Sequence, residues 1–144
     1  MEKSLSSGLQ DYIETIYVSF VNREVLKAAD LARKLKISRA SVSEALARLI
    51  SKGLVRYDEY KNIYLTRLGK SEAKKVYEKH HILKDFFENV LGVPQAEASE
   101  NACKIEHIIS GNILDKMDRF SKFFSVHKKI LDIYIEESEK TCPR

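Results

Sequence analysis

The order of four short segments between residues 27 and 66 constrains the fold of this chain more than any other feature of its sequence. Two helical patterns are followed by two short apolar runs, and these lie over residues 27–35, 39–52, 54–57 and 63–66. The turn between the two helices is only three residues long, and Gly53 stands where a helix commonly ends in a left-handed conformation. Helix, tight turn, helix and hairpin is the order of a winged helix-turn-helix domain.

Helical patterns fill most of the remaining chain. Apolar residues recur at helical spacing in the segments 9–20, 70–90, 96–110, 113–120 and 126–140. Five glycines and two prolines leave few turn residues for an all-β fold. We therefore predict a mainly α fold with a small β wing: a winged helix-turn-helix DNA-binding domain at residues 1–73 and a helical domain at residues 74–144.

The charge of the chain is unevenly distributed. The 25 Lys and Arg residues exceed the 21 Asp and Glu residues, for a net charge of +4. Residues 21–79 contain 15 basic and 7 acidic side chains, whereas the rest of the chain contains 10 and 14. A basic segment over the helix-turn-helix predicts contact with nucleic acid phosphates, and an acidic remainder suits a cation. The alternative is that the basic side chains only solvate helix surfaces.

The sequence argues against a membrane protein and against a disulfide-rich secreted protein. No run approaches the ~18–20 apolar residues of a spanning helix, and the first residues lack the apolar core of a secretory signal. Two cysteines, at positions 103 and 142, do not form a disulfide framework. We expect a cytoplasmic protein without a membrane partner, with His127 and Cys142 on its surface.

The second helix of the helix-turn-helix supplies the candidate DNA contacts. Its small and hydroxyl side chains permit close approach to base edges, and two arginines can reach phosphates or guanine. Glu44 is unusual on such a surface, and it either accepts from cytosine N4 or faces solvent. The alternative is a helix-turn-helix used only for protein packing. With flanking residues, the candidates are Lys36, Ser38, Arg39, Ala40, Ser41, Ser43, Glu44, Arg48 and Lys61.

A second group of residues has the spacing of metal ligands. Cys103, Glu106 and His107 occupy positions i, i+3 and i+4 of a predicted helix, so they share one face. Thiolate, carboxylate and imidazole together suit a borderline transition metal. The alternative is a buried cysteine beside a surface Glu–His pair. Two other helices carry pairs of potential ligands, Asp11 with Glu14 and His81 with Asp85, and His80 is adjacent to the second pair.

These motifs together resemble the diphtheria toxin repressor family of metal-dependent transcription regulators, over about residues 9–125. The resemblance is carried by the run from Asp11 to Tyr17, the helix-turn-helix at 29–55, Leu65-Thr66-x-x-Gly69-Lys70, His81 with Leu91-Gly92-Val93, and Cys103-x-x-Glu106-His107. With 144 residues, we expect the chain to lack the SH3-like third domain of longer members. Its length is closer to the manganese transport regulator branch.

The resemblance implies a function and a ligand set. It implies a homodimer, not an enzyme, that binds a palindromic double-stranded DNA operator when Fe2+ or Mn2+ is bound and represses metal-uptake genes, with no small organic substrate. It makes residues 74–144 a metal-binding and dimerisation domain. By position it assigns metal ligands to Asp11, Glu14, His81, Cys103, Glu106 and His107, and more weakly to Asp85 and Glu100. Ser99 stands where an ancillary ligand of the family is a histidine, which leaves that second site open.

The donor set favours Fe2+, with Mn2+ a close second. The Cys103 thiolate prefers Fe2+ to the harder Mn2+, whereas the carboxylates of Asp11 and Glu14 act in the opposite direction. We expect the bound ion to fix the orientation of the two domains. The predicted dimer interface is apolar, although each member can equally belong to the intrachain core: Ile108, Ile109, Ile113, Leu114, Met117 and Phe120.

Two alternatives remain at the level of function. A metal-independent winged-helix repressor would use Cys103 as a redox-active or structural thiol. A zinc metalloenzyme would use the same Cys, Glu and His donors. The enzyme is disfavoured because no other residue stands out as a general base, and because the winged helix would then have no role.

Overall fold

The computed structural model describes residues 5–141 and confirms a mainly α fold with a small β wing. The chain divides into two compact units after Tyr77. The described elements are α1 (Ser7–Val21), α2 (Ala28–Leu35), α3 (Arg39–Ser51), β1 (Val55–Tyr57), β2 (Ile63–Leu65), α4 (Arg67–Asp85), a π-helical turn (Phe86–Val90), α5 (Gln95–Ile105), α6 (Gly111–Val126) and α7 (Lys128–Thr141).

The first unit is built on one aliphatic core. Burial of each Leu or Ile side chain stabilises it by about 1.5–3 kcal/mol relative to exposure. The core follows the helical spacing of the sequence, because each helix turns one apolar stripe inward. Its members are Leu9, Ile13, Ile16, Leu26, Leu31, Ala32, Val42, Ala45, Leu46, Leu49, Leu54, Val55, Ile63, Leu65, Ala73 and Val76.

The turn of the helix-turn-helix is fixed by local hydrogen bonds. Lys36 ends α2 in a left-handed conformation with φ 57°, and the backbone N–H of Ile37 donates to the carbonyl of Ala32 at 3.1 Å. The Ser38 hydroxyl then accepts from the N–H of Ser41 at 3.1 Å, as the predicted N-cap of α3. These contacts set the angle between the two helices locally.

The wing is a two-stranded antiparallel hairpin whose turn is held by one carboxylate. Val55 pairs with Leu65 and Tyr57 with Ile63. At the turn, Asp58 accepts from the backbone N–H groups of Tyr60 and Asn62 at 2.9 and 2.8 Å, and from the Asn62 side-chain amide at 2.8 Å. The predicted hairpin is therefore a rigid loop.

The wing leads into α4 through a close backbone contact. A Cβ atom added at Gly69 would lie 1.9 Å from the carbonyl oxygen of Leu54. The Thr66 hydroxyl donates to the carbonyl of Gly53 at 2.6 Å and accepts from the N–H of Gly69 at 3.0 Å. Only glycine fits at position 69 with this geometry.

The second unit has a smaller core and more exposed apolar surface. Leu83, Ala102 and Leu114 are its buried cluster, against which five partly buried side chains pack: Ile82, Phe87, Ile105, Ile109 and Met117. Several large apolar side chains of α6 and α7 are about half exposed or more. Exposed apolar surface of this extent is typical of a protein interface.

The helix boundaries differ from the predicted ones chiefly in α4, α5 and α6. The α6 helix runs from Gly111 to Val126 rather than over 113–120. The α5 helix ends at Ile105 rather than 110, because Ser110 caps the next helix and the intervening residues form the connecting turn. The α4 helix begins at Arg67 rather than 70, and its predicted last turn is π-helical. Along residues 5–141, no helix has the length and apolarity needed to cross a bilayer.

Candidate metal centre and nucleic-acid interface

Three potential metal ligands of different chemistry meet inside the second unit. His80 lies on α4, Cys103 lies on α5, and Glu106 is the first residue after α5. His80 Nδ1 is 2.8 Å from Glu106 Oε2 and 3.6 Å from Cys103 Sγ. The three donor atoms lie within 4.8 Å of one another, so a single ion can contact all of them. We call these residues the His–Cys–Glu cluster.

Glu106 is buried and incompletely bonded. Only 1% of it is exposed, and its Oε1 atom has no hydrogen-bond partner among the described residues. His107 Nε2 lies 3.5 Å from that oxygen. A buried carboxylate oxygen without a partner is unfavourable unless a positive charge compensates it. Together with the thiol and imidazole donors, this oxygen fits a divalent transition metal.

The other predicted ligands on α4 lie on its exposed face. His81 is exposed, and its pKa is lowered, first by partial burial and then by the neighbouring charges of His80 and Lys84. Asp85 is exposed and accepts a hydrogen bond from the Asn89 amide at 2.6 Å. The His–Cys–Glu cluster therefore contains His80, whereas the sequence assigned His81.

The remaining predicted ligands lie on α1 and α5. On α1, Asp11 is exposed and Glu14 is half-buried. On α5, Glu100 is exposed and forms an ion pair with Lys104 at 2.6 Å, and Lys104 lowers its pKa. Ser99 is half-buried on the same helix. His127 is exposed as expected, and Cys142 lies outside the described residues.

A signal for His80 was present in the sequence. Ala73, Val76 and Leu83 are buried apolar positions of α4, and His80 continues their three- and four-residue spacing. His81 lies one residue further, about 100° around the helix. The apolar stripe therefore indicates His80 as the inward-facing histidine.

The predicted DNA contacts form an exposed surface on the first unit, which we call the α3 surface. Arg39, Ala40, Ser41, Ser43, Glu44 and Arg48 are all exposed on α3, with Lys36 and Ser38 exposed before it and Lys61 exposed in the wing turn. Neither Arg39 nor Arg48 forms an ion pair within residues 5–141. Burial and the charges of Glu44 and Asp11 raise the pKa of Tyr12, which places Glu44 near α1.

The predicted dimer residues divide into two groups. Ile108, Ile113 and Phe120 are exposed by 82%, 53% and 49%. Leu114 belongs to the buried core of the second unit, and Ile109 and Met117 pack against that core. Leu114 therefore belongs to the core of its own chain, which was the alternative to an interface role. The exposed residues are available to a partner.

Fold and cluster together define a class of protein: a winged-helix DNA-binding unit followed by a helical unit with a transition-metal donor set. Residues 4–63 match the N-terminal DNA binding domain of the iron dependent repressors, and residues 66–134 match their metal binding and dimerisation domain. The chain belongs to the iron dependent repressor family. This confirms the resemblance found in the motifs.

Two relatives have nearly the same length as this chain. An uncharacterized HTH-type transcriptional regulator of Methanocaldococcus jannaschii is 37% identical over 121 residues, which cover 83% of this chain and 97% of the relative. The HTH-type transcriptional regulator MntR of Listeria welshimeri is 27% identical over 136 residues, which cover 94% of each chain.

Solved structures share the fold. A manganese-dependent transcriptional repressor in complex with manganese has a TM-score of 0.74 at 26% identity, covering 80% of this chain and 53% of that chain. IdeR of T. acidophilum has a TM-score of 0.70 at 27% identity, covering 82% and 55%. The chain thus spans about half the length of these solved proteins.

Proposed function

We propose that this chain is a cytoplasmic transcriptional repressor that binds a palindromic DNA operator as a homodimer when a divalent metal is bound, and that it controls metal-uptake genes. The observation that carries this proposal is the His–Cys–Glu cluster, with the unpartnered buried oxygen of Glu106. The presence of both family domains in one chain supports the link between metal and DNA.

The cluster residues would hold the ion from three directions. His80 supplies imidazole nitrogen, Cys103 supplies sulfur and Glu106 supplies carboxylate oxygen, with the His107 imidazole beside the same carboxylate. A bound divalent cation supplies positive charge that offsets the desolvated carboxylate and favours the thiolate. Asp11, Glu14 and His81 stay proposed ligands on the resemblance alone, as do Asp85 and Glu100 in a weaker ancillary role.

We propose Fe2+ as the physiological ion, with Mn2+ second. The thiolate and imidazole of the His–Cys–Glu cluster are softer donors than the oxygens that Mn2+ prefers. Carboxylates at Asp11 and Glu14 would shift the preference toward Mn2+. A solved relative is a manganese-dependent repressor and the family is named for iron, so the two ions are the appropriate test pair.

The α3 surface would lie in the DNA major groove. Short side chains at Ala40, Ser41 and Ser43 leave room for base edges, and Arg39 and Arg48 carry charges that no described carboxylate neutralises. We assign DNA binding to residues 1–73 and metal binding and dimerisation to residues 74–144. Because binding would neutralise several phosphates, affinity should fall steeply as salt concentration rises.

The test is a titration of the full chain with a duplex selected from a random DNA pool, under anaerobic conditions. Wild type is compared with Cys103→Ala, each with Fe2+, with Mn2+ and with chelator. We expect the metals to tighten binding by wild type by about 5- to 150-fold, the usual range of coupling between two sites, and to have much less effect on the variant.

The control for the Cys103→Ala variant is a second substitution on α5. Ser99→Ala changes a neighbouring small side chain of the same helix, and its response to metal should equal that of wild type. Equal DNA affinity of wild type in all three conditions would establish the metal-independent repressor instead. Absence of any salt-sensitive duplex binding would remove the DNA-binding assignment as well.

A further inference from the structure

A cavity of about 320 Å³ opens on the first unit, and none of the residues assigned above lines it. It lies among the end of α1, the strands of the wing and the first turn of α4. Aliphatic side chains of the core line its inner part, and Phe20 and Tyr64 lie among the outer residues. A volume of this size is within the range of small-molecule sites.

Three cationic side chains line the cavity without acidic partners. Arg23, Arg56 and Lys70 form no ion pair with any carboxylate in residues 5–141. The Arg56 guanidinium lies 5.2 Å from the centre of the Tyr64 ring, and Lys70 Nζ lies 4.0 Å from the centre of the Phe20 ring. Cation–π contacts of this kind hold the charges against aromatic faces.

The polar groups inside the cavity leave those charges uncompensated. Glu24 lines the cavity, but its carboxylate forms an ion pair with Lys34 at 2.6 Å. Ser19 is only 1% exposed, and its hydroxyl faces the Glu24 carboxylate, whose pKa is lowered first by Lys34 and then by Ser19 and Asn22. Because the Glu24 carboxylate is engaged by Lys34, the three cationic charges of the cavity stay unpaired within residues 5–141.

The backbone conformation of Arg23 also indicates a functional role for its side chain. Arg23 has φ 59°, and the N–H of Glu24 donates to the carbonyl of Ser19 at 2.9 Å, which is the left-handed end of a helix. Glycine is favoured at this position because a Cβ atom makes the conformation strained. An arginine in a strained conformation at the wall of a cavity points to function.

We propose that this cavity binds a small organic anion, with its carboxylate or phosphate group beside Arg23, Arg56 and Lys70 and a short apolar body against the aliphatic side chains. A phosphate of the DNA backbone does not meet this description, because it has no apolar body and a duplex is too wide to enter. The site is independent of the metal centre and of the α3 surface.

The test uses four probes on the isotope-labelled full chain, followed by nuclear magnetic resonance titration. Benzoate and phenyl phosphate carry the two possible head groups on the same apolar body, benzyl alcohol has the body without charge, and inorganic phosphate has the charge without the body. We expect saturable shifts at the backbone amides of residues 19–26 and 63–65 with one or both organic anions, and weaker effects with the other two probes.

Two variants and one control make the test specific. Arg56→Gln should weaken binding of the better probe by at least about tenfold, as loss of a charge-assisted contact does. Arg23→Gly should weaken it similarly while keeping or raising the thermal unfolding midpoint, because glycine relaxes the backbone. Lys52→Gln removes one exposed positive charge from the same unit and should leave binding unchanged.

Several results would overturn the proposal. These are no saturable binding of either organic anion, equal binding of benzyl alcohol, or shifts confined to the α3 surface. Unchanged affinity in both Arg56→Gln and Arg23→Gly would do the same. Stronger binding of inorganic phosphate than of phenyl phosphate would instead make the cavity a simple phosphate contact.

Discussion

Among the described titratable residues of the second unit, Glu106 is the most deeply buried, with 1% of it exposed. Its carboxylate lies between two imidazoles, with Oε2 at 2.8 Å from His80 and Oε1 at 3.5 Å from His107. It occupies the first position after α5, where the chain leaves the helix. A buried carboxylate contributes little to folding by itself, because it loses its hydration. A bound cation would offset that desolvation cost.

The two adjacent histidines of α4 give a direct test of the metal centre. We expect His80→Gln to weaken Mn2+ or Fe2+ binding at least about tenfold, because His80 Nδ1 lies 2.8 Å from Glu106 Oε2 and 3.6 Å from Cys103 Sγ. His81→Gln tests the ligand proposed on the resemblance, and we expect it to weaken binding as well. Anaerobic calorimetric titration of each variant measures both constants. Unchanged affinity in His80→Gln would remove His80 from the ligand set, and unchanged affinity in His81→Gln would remove His81.

At the scale of residues, spacing in the sequence indicated the chemistry of the metal donors. Cys103, Glu106 and His107 were recognised by their spacing, and two of them join the cluster. Which of His80 and His81 faces the core of the second unit depends on the rotation of α4, and the apolar spacing of Ala73, Val76 and Leu83 indicates His80. The side-chain positions of Glu106 and His107 also depend on where α5 ends, and Ser110 decides this by capping α6.

At the scale of elements, the junction between the wing and α4 has no space for a side chain at position 69. We expect Gly69→Ala to destabilise the chain by about 1–3 kcal/mol, because the new Cβ would overlap the backbone of Leu54. Chemical denaturation measures the free energy of unfolding. Gly8→Ala, in the first turn of α1 with open space around it, is the control and should be neutral or slightly stabilising. Equal stability of the two variants would mean that the junction is less rigid than described.

The turn of the wing should respond to acid. Burial acts to raise the pKa of Asp58, but the hydrogen bonds from Asn62 and Tyr60 outweigh it, so the folded-state pKa is below the ordinary 3.8. The unfolded chain therefore takes up the proton at a higher pH than the folded chain does. The stabilisation by Asp58 is complete above the ordinary pKa of 3.8 and is lost as pH falls through the folded-state pKa. We expect Asp58→Ala to lower the melting temperature near neutral pH, and the difference from wild type to shrink below about pH 4. A difference that grows on acidification would contradict this.

The elements themselves were largely predictable. Residues 39–51 form the expected helix because Ser38 caps it and because Val42, Leu46 and Leu49 keep one apolar stripe. The early start of α4 was not predictable from periodicity, since it depends on the Thr66 hydroxyl bonding to the carbonyl of Gly53, thirteen residues earlier. Contacts between residues distant in sequence decide such boundaries.

At the scale of the whole molecule, exposed and buried apolar residues of the second unit should have separable roles. We expect Ile108→Asp to weaken dimerisation at least about tenfold without lowering protomer stability, because Ile108 is 82% exposed. Leu114→Ala should instead cost about 2–5 kcal/mol of stability, because Leu114 is in the core. Sedimentation equilibrium and denaturation measure the two effects. Dimerisation of Ile108→Asp at wild-type strength would exclude Ile108 from the interface.

Three residues other than glycine have a positive φ in the described part of the chain, and all three are cationic: Arg23, Lys36 and Lys61. Each position combines backbone strain, of about 1–2 kcal/mol, with a charge that a glycine would not carry. The first unit is therefore less stable than it would be with glycine at these three positions, each of which places a positive charge in a turn. Selection for heat resistance alone would favour glycine at these positions. A variant with glycine at all three positions should be more stable and should bind anionic ligands more weakly.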